Sequence, residues 1–168
     1  MKRHAGIPPF QSFLEENRAV VYRFLQASMG PADADDAFQE TFLSALRSYA
    51  SLRDASNLRG WVLTIATRKA IDAARSRDRR PLSVPDVAVI GNGLVDPPGD
   101  EPLELGDPLW HAVLELPARQ RAAVVHRYVL DRSYADVAAA MGSSEEAARA
   151  NVSQGLRKLR EVLSDASE

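Results

Sequence analysis

The chain has 168 residues, 45% of them hydrophobic and 7% aromatic, which is enough apolar material for one medium domain or two small helical ones. It contains no cysteine, which excludes disulfide scaffolds, cysteine-based zinc sites and thiol catalysis. The 21 Lys and Arg against 23 Asp and Glu give a net charge of -2, which is not the charge of a polycation. The three histidines are scattered, so we expect no metal and no other cofactor. No apolar stretch suits a signal peptide or a membrane span, and a cytoplasmic protein without membrane insertion is expected.

The first half predicts three amphipathic helices. The first helix is expected to stop near Gly30-Pro31, and its apolar positions are Phe10, Phe13, Leu14, Val21, Phe24 and Leu25. Acidic residues at 33, 35 and 36 favour the positive end of a helix dipole and predict the start of the second helix. The third is predicted to begin between Leu58 and Trp61 and to continue into a basic run at 68–80. No convincing strand pattern occurs in either half.

The stretch 81–108 separates the two halves by its composition. It is acidic, contains no Lys or Arg and holds most of the prolines. Such a stretch cannot bury enough apolar surface to order itself, which predicts a flexible linker. We therefore expect an all-α chain with small helical domains at 1–80 and 109–168, joined by a flexible acidic linker at 81–108.

The second half predicts a pair of short helices joined by a tight turn. Leu109, Ala112, Val113 and Leu116 follow helical spacing before Pro117 breaks the helix, and a further helix carries Val124 to Val129. Ser133 with Asp136 forms a capping box for the first helix of the pair, and Gly142 provides the turn. Ser143 with Glu146 is expected to cap the second helix, whose buried stripe is Ala148, Val152, Leu156, Leu159 and Leu163.

Two short helices joined at a glycine are typical of a helix-turn-helix, whose second helix enters the major groove of DNA. The outward residues would be Arg149, Ala150, Ser153, Gln154 and Arg157. The alternative is a simple helical hairpin with solvated arginines. DNA binding is favoured because the outer face carries no acid between Arg149 and Arg160 and so suits phosphates and base edges.

Two long segments of the first half indicate a particular protein family more specifically than the helix-turn-helix pattern does. They read DADDAFQETFLSALRSYASL and LRGWVLTIATRKAIDAARSRDRRP, and a helix-turn-helix follows them in the second half. Together the three segments closely resemble the extracytoplasmic-function (group 4) sigma factors of the sigma-70 family, which are subunits of bacterial RNA polymerase. The resemblance extends from about Phe10 to Leu163 and leaves only the linker unmatched. It implies a region 2 domain, a region 4 domain and a non-enzymatic role in promoter recognition.

The resemblance implies two partners, core RNA polymerase and promoter DNA. The long Pro/Gly linker would also let the domains rearrange around an anti-sigma factor that packs between them and hides their binding faces, which is a further expected partner. On the polymerase, region 2 would grip the clamp helices of the largest subunit, and the flap region would be a further contact. The matching clamp-binding positions are Asp35, Asp36, Phe38, Gln39, Glu40 and Phe42. An acidic, partly aromatic helical face could dock a basic coiled coil, whereas the residues alone fit an ordinary amphipathic helix equally well.

The loop around Ser51 to Gly60 and the following helix match the part of the family that opens and reads the minus-ten element. Strand opening requires a pocket for an unstacked base and a cationic surface for the displaced strand. The candidates are Asn57, Arg59, Trp61, Arg68, Lys69, Arg75, Arg77, Arg79 and Arg80. Trp61 could stack on a base, but a lone Trp at the start of a buried helix is more often part of the core.

The second half matches the part of the family that reads the minus-thirty-five element as duplex. Leu116, Pro117 and Gln120 match its opening LPxxQR segment. Ser133 and Tyr134 would lie near phosphates, and the helix from Arg149 to Arg157 would face the major groove.

Three positions depart from the family pattern. Arg68 replaces an Asn linked to minus-ten reading, which leaves base preference there open. Ala147-Ala148 stands where Thr-Val is usual, a loss of apolar contact worth roughly 1–2 kcal/mol. Gln154 stands where a basic residue is frequent and so removes a phosphate or guanine partner.

Three other classes of function compete with this interpretation. A helix-turn-helix regulator that never touches polymerase core would leave the QETF segment and the basic run unexplained. An enzyme is disfavoured because the chain offers only scattered histidines and carboxylates and no Gly-rich phosphate loop. An all-helical interaction module would show no DNA-dependent activity. The promoter sequence, inducing signal and source organism cannot be deduced from these residues.

Overall fold

The computed structural model describes residues 6–79 and 107–167, and every regular element in these two ranges is helical. This confirms the expected all-α class. The predicted linker lies outside the described residues except at its end. There Asp107 caps the next helix by accepting a hydrogen bond from the Leu109 backbone N–H at 2.9 Å, and Pro108 is the first helical residue. The first described helix of the second half begins at this Asp-Pro pair, which suits a helix start.

The first half is a bundle of three helices, α1 (Phe10–Met29), α2 (Pro31–Tyr49) and α3 (Leu58–Arg79). Between α1 and α2, Gly30 adopts φ +82, a backbone conformation that strongly favours glycine, and Pro31 then provides the fixed φ that suits a first helical residue. The predicted stop near Gly30-Pro31 is confirmed.

Aromatic rings fill the centre of this bundle. Phe13 is fully buried, and its ring centroid lies 5.1 Å from that of Tyr49, 5.8 Å from Trp61 and 6.1 Å from Phe42. Buried aromatic rings each contribute roughly 1.5–3 kcal/mol by leaving water. The three helices are held together by this aromatic cluster at one end.

The second half has four helices, α4 (Pro108–Glu115), α5 (Ala118–Val124), α6 (Tyr134–Met141) and α7 (Glu145–Asp165). Pro117 separates α4 from α5 as predicted, and α5 continues into one wider π-helical stretch at Val125–Val129. None of the helices in residues 6–79 and 107–167 has the length and apolarity required to cross a bilayer.

The α6–α7 pair is the predicted helix-turn-helix, with one correction at its turn. Ser133 caps α6 by accepting from the Asp136 N–H at 3.1 Å, and Gly142 ends α6 with φ +60, both as predicted. The cap of α7 is Ser144, which accepts from the Ala147 N–H, and the prediction of Ser143 was wrong. Ser143 still belongs to the end of α6, because its own N–H donates to the Ala138 carbonyl at 3.0 Å.

Helices α5 and α7 cross at Gly155. A Cβ at this position would lie 2.7 Å from Cγ2 of Val124, so the two helices approach closely only because residue 155 is glycine. Because residue 155 has no side chain, α7 packs close to α5, and this packing fixes the position of the outward face of α7 relative to the rest of the second half.

Gly155→Ala is expected to destabilise the protein by about 1–3 kcal/mol, since the added methyl group overpacks the crossing. The change should appear as a lower midpoint in urea unfolding followed by circular dichroism. Ser153→Ala, at an exposed position of the same helix, is the control and should leave the midpoint unchanged or slightly higher. Equal midpoints for Gly155→Ala and the parent chain would show that the crossing relaxes without cost.

The two halves pack against each other through α1 and α3 on one side and α4, α5 and α6 on the other. Val113, Leu116 and Val125 belong to the same buried cluster as Phe24 and Leu63. Arg121 ties the halves further, since its guanidinium donates to the Ser28 carbonyl at 3.0 Å and to the Leu116 carbonyl at 2.8 Å. The composition predicted two folded units, and in the described residues one buried cluster joins them, while the helix-turn-helix has a second, smaller buried cluster of its own.

His126 lies at the centre of this contact and is fully buried. Its ring stacks on Phe24 of α1 with centroids 4.5 Å apart, and its Nε2 lies 2.8 Å from the hydroxyl of Thr67 on α3. Burial first, and the nearby Arg132 second, lower the pKa of His126 to about 3. The histidine is therefore neutral at pH 7 and fits the apolar contact between the halves.

Candidate functional site

The outward face of α2 combines acidic and apolar side chains. Asp35, Asp36, Gln39 and Glu40 are exposed as the sequence suggested. Further along the same helix Leu43 and Leu46 are 52% and 51% exposed. Because positions 36, 39, 40, 43 and 46 follow spacings of three and four, they lie along one side of the helix. The two leucines were missed by the sequence analysis, although this spacing could have revealed them.

Phe38 and Phe42 lie on the inner side of α2. Each is 7% exposed, and their ring centroids are 4.8 Å apart within the core. The sequence analysis grouped them with the residues that contact the polymerase. Both rings are buried in this structure, so they support the α2 face from beneath, and a direct contact of either ring with a partner stays a prediction.

Two side chains from neighbouring helices hold the start of α2. The Tyr22 hydroxyl of α1 donates to Asp35 Oδ1 at 2.8 Å, and burial together with this carboxylate raises the pKa of Tyr22. Arg77 of α3 pairs with Asp33 at the surface. Arg77 was a candidate for minus-ten DNA, and here it lies against the acidic start of α2.

Asn57 caps α3. Its Oδ1 accepts from the Gly60 N–H at 2.9 Å, and a Cβ on Gly60 would come within 2.4 Å of the Asn57 amide nitrogen. The hydrogen bond from Gly60 to Asn57 satisfies a backbone N–H in the first turn of α3, where the helix itself offers no acceptor. Asn57 remains exposed. A groove of about 790 Å³ lies beside this loop between residues 6–8 and the stretch 53–58.

Trp61 packs in the aromatic cluster, with its ring centroid 5.8 Å from Phe13 and 6.3 Å from Tyr49. It is partly buried, which agrees with the core interpretation of this residue.

The basic residues of α3 do not form one surface. Arg59, Arg68, Arg75 and Arg77 are exposed, and Lys69 is partly buried. Arg59 and Arg68 are about two and a half helical turns apart, so they point to opposite sides, with Arg77 on the Arg59 side and Arg75 on the Arg68 side. The side chain of Arg79 and all of Arg80 lie outside the described residues.

The outward face of α7 carries every residue predicted for it. Arg149, Ala150, Ser153, Gln154 and Arg157 are all exposed, while Ala148 and Val152 are buried against α6. One contact was not predicted. Gln154 Oε1 accepts from Gln120 Nε2 of α5 at 3.1 Å, so the side chain of Gln154 is tied to the body of the domain.

Both halves match models of known protein regions. Residues 13–80 match Sigma-70 region 2, and residues 107–159 match Sigma-70 region 4. These two regions in this order define a two-domain sigma factor of the extracytoplasmic-function type. The chain belongs to the extracytoplasmic-function group of the sigma-70 family.

Named relatives agree with this assignment. The RNA polymerase sigma factor CarQ of Myxococcus xanthus is 32% identical over 139 residues, which cover 79% of this chain and 75% of CarQ. The ECF RNA polymerase sigma factor SigG of Mycobacterium tuberculosis is 30% identical over 164 residues, covering 81% of this chain. The chain spans only 43% of the length of SigG.

Two solved structures share the fold. The sigma factor RpoE from Bartonella quintana, in complex with the anti-sigma factor NepR, has a TM-score of 0.71 and 25% identity, and the match covers 92% of this chain and 96% of RpoE. CnrH, in complex with the cytosolic domain of CnrY, has a TM-score of 0.64 and 20% identity, covering 95% of this chain and 89% of CnrH.

Proposed function

We propose that this chain is an alternative sigma factor that binds core RNA polymerase and directs it to specific promoters for transcription initiation. The observation that carries the proposal is the presence, on one chain, of the exposed α2 face and the exposed α7 face. The first suits a protein partner and the second suits duplex DNA. The chain itself is not an enzyme in this proposal, because phosphodiester chemistry belongs to the polymerase.

The α2 face supports polymerase binding through both charge and apolar contact. Its acids attract a basic coiled coil such as the clamp helices, and Leu43 and Leu46 supply apolar area that would leave water on docking. The second half would contact the flap region. A protein that binds core polymerase in this way would act in the cytoplasm.

The minus-ten element would be read at the start of α3. The groove lined by residues 6–8, 53–56 and 58 offers space for an unstacked base, and the Asn57 amide nitrogen stays free to donate to a base while Oδ1 caps the helix. Arg68 and Arg75 would follow one strand. Because Arg77 is paired with Asp33, it contributes to strand binding only if that pair opens.

The minus-thirty-five element would lie against α7. Arg149, Ala150, Ser153, Gln154 and Arg157 form its base and backbone contacts, with the start of α6 near phosphates. Gln154 then reads DNA from a position fixed by Gln120.

Contact with both elements requires the two halves to separate. The elements lie about 25 base pairs apart, which is about 85 Å of B-form DNA at ~3.4 Å per pair. Positions 80–106 comprise about 27 residues, which reach about 90 Å when fully extended. The chain between the halves is therefore long enough for α3 and α7 to reach both elements at once.

The isolated protein is expected to bind promoter DNA weakly, because its net charge is -2 and its halves are packed together. Fluorescence anisotropy with labelled duplex at physiological salt should give weak, largely sequence-independent binding. Tight and specific binding of duplex by the free protein would contradict this expectation.

We further propose regulation by an anti-sigma factor that covers the α2 and DNA-binding faces. The support is the likeness to RpoE, a sigma factor whose structure was solved with its anti-sigma factor. A protein recovered with this chain from native lysate should suppress its transcripts when added back. Recovery of polymerase subunits alone would count against this regulation.

Light scattering after gel filtration distinguishes a sigma factor from an ordinary helix-turn-helix regulator. The proposal predicts a one-to-one complex with bacterial core polymerase that binds duplex DNA. A regulator would form a homodimer on a palindromic site and would not bind core polymerase.

A further inference from the structure

Tyr134, the first residue of α6, lies beside two guanidinium groups. The Cζ of Arg149 is 4.4 Å from the centroid of its ring, and the Cζ of Arg127 is 4.7 Å from it. A guanidinium over an aromatic face is attracted by the negative charge of the ring face. The ring therefore joins the stretch after α5, which carries Arg127, to the outward face of α7, which carries Arg149.

Each arginine is also held at a second point. Arg149 Nη2 donates to Glu145 Oε1 at 2.7 Å, one turn earlier on α7. Arg127 Nη1 donates to the Arg132 carbonyl at 3.0 Å. A continuous series of contacts thus runs from the backbone before α6, through Tyr134, to Arg149. The Arg149 side chain is 57% exposed and yet restrained at two places.

This restraint favours one kind of DNA contact. A guanidinium has five N–H groups, and Glu145 takes one of them, so a pair remains for O6 and N7 of a guanine. A free arginine loses rotamer freedom when it forms such a contact, whereas a restrained arginine has less to lose.

We propose that Tyr134 is a positioning residue that fixes the plane of Arg149 for a two-point contact with a guanine of the minus-thirty-five element. The inference rests on the proposed function. It differs from the phosphate contact that the family resemblance implies for Tyr134, because the aromatic ring, and not the hydroxyl, is the part of the side chain that matters.

The test is selection of DNA from a randomised duplex pool by the full chain bound to core polymerase, followed by sequencing. The parent chain should prefer guanine at one position, and Arg149→Ala should remove that preference. Tyr134→Phe, which keeps the ring, should retain it. Tyr134→Leu should reduce it about tenfold at that position alone. Arg160→Ala, an exposed arginine of the same helix outside the proposed DNA-contacting set, is the matched control and should leave the guanine preference unchanged.

Three results overturn the inference. If Tyr134→Phe and Tyr134→Leu both weaken binding to all sequences equally, Tyr134 contacts a phosphate. If Tyr134→Leu keeps the guanine preference, the ring does not position Arg149. If the parent chain with core polymerase selects no sequence, the proposed function itself fails, and the inference that rests on it fails too. The first two results, by contrast, overturn the inference and leave the proposed function intact.

A second variant guards against loss of folding, because Tyr134 also packs on the core of the helix-turn-helix. Glu145→Gln leaves the contact between the Tyr134 ring and Arg149 in place. It removes the carboxylate charge, one turn earlier on α7, that holds the Arg149 guanidinium. It should reduce the same guanine preference by a smaller factor at an unchanged unfolding temperature. If Tyr134→Leu does not fold, Tyr134→Met, which keeps an apolar side chain without a ring, takes its place, and a guanine preference equal to that of the parent chain in Tyr134→Met would overturn the inference.

Discussion

Replacing Gln39 and Glu40 together by lysine is expected to abolish binding to core polymerase while leaving the protein folded. Both side chains are exposed on the α2 face, so the change cancels the net negative charge of Asp35, Asp36 and Glu40 and places two cations at its centre without touching the core. Like charges brought together at an interface cost several kcal/mol, and we expect at least a hundredfold weaker binding. Exposed substitutions of this kind usually change the free energy of unfolding by less than about 0.5 kcal/mol.

The matched control is Gln11→Lys with Glu15→Lys on α1. This pair has the same residue types, is exposed and lies one turn apart. It should bind core polymerase as the parent chain does, as measured by interferometry with immobilised polymerase. If both double variants lose affinity alike, the effect is one of net charge, and the α2 face is not the polymerase-binding surface.

Acid is expected to destabilise the contact between the halves through His126. Its pKa is about 3 when buried and about 6.5 when exposed, so the unfolded or separated chain binds a proton more readily. The stabilising effect is therefore complete above pH 6.5 and is lost progressively as the pH falls toward 3. At pH 5 the loss is about 2 kcal/mol relative to pH 7.

Urea unfolding at pH 7 and pH 5 measures this loss. His126→Gln keeps a polar partner for Thr67 but does not titrate, so its stability should fall less than that of the parent chain between the two pH values. His111→Gln is the matched control, because it makes the same replacement at an exposed position on α4. An equal pH dependence in His126→Gln would show that another group is responsible.

The helices were predictable because their signals are local. Apolar spacing from Phe10 to Leu25, the Gly30-Pro31 stop, the Ser133 cap and the Gly142 turn each act within a few residues along the chain. The exposed face of α7 was predictable because it lies opposite the apolar positions that the same helix buries. The cap of α7 was misassigned by one residue, because Ser143 and Ser144 are chemically equivalent and only the closing turn of α6 distinguishes them.

Contacts between distant segments were not predictable. Nothing in the local pattern pairs Thr67 with His126 or Gln120 with Gln154, which are 59 and 34 positions apart. The basic run at 68–80 is contiguous in sequence but not in space, because helical rotation places Arg77 on the side of α3 opposite to Arg68. Leu43 and Leu46 were overlooked because apolar residues on a helix are usually assigned to its core.

Run-off transcription with purified core polymerase on a genomic promoter library, with and without this protein, measures whether the chain acts as a sigma factor. A sigma factor should give discrete new start sites that appear only with the protein and share a two-part motif near positions minus ten and minus thirty-five. With core polymerase from the source organism and its native promoters in the library, an absence of new start sites despite detectable duplex binding would contradict this function and favour an ordinary helix-turn-helix regulator.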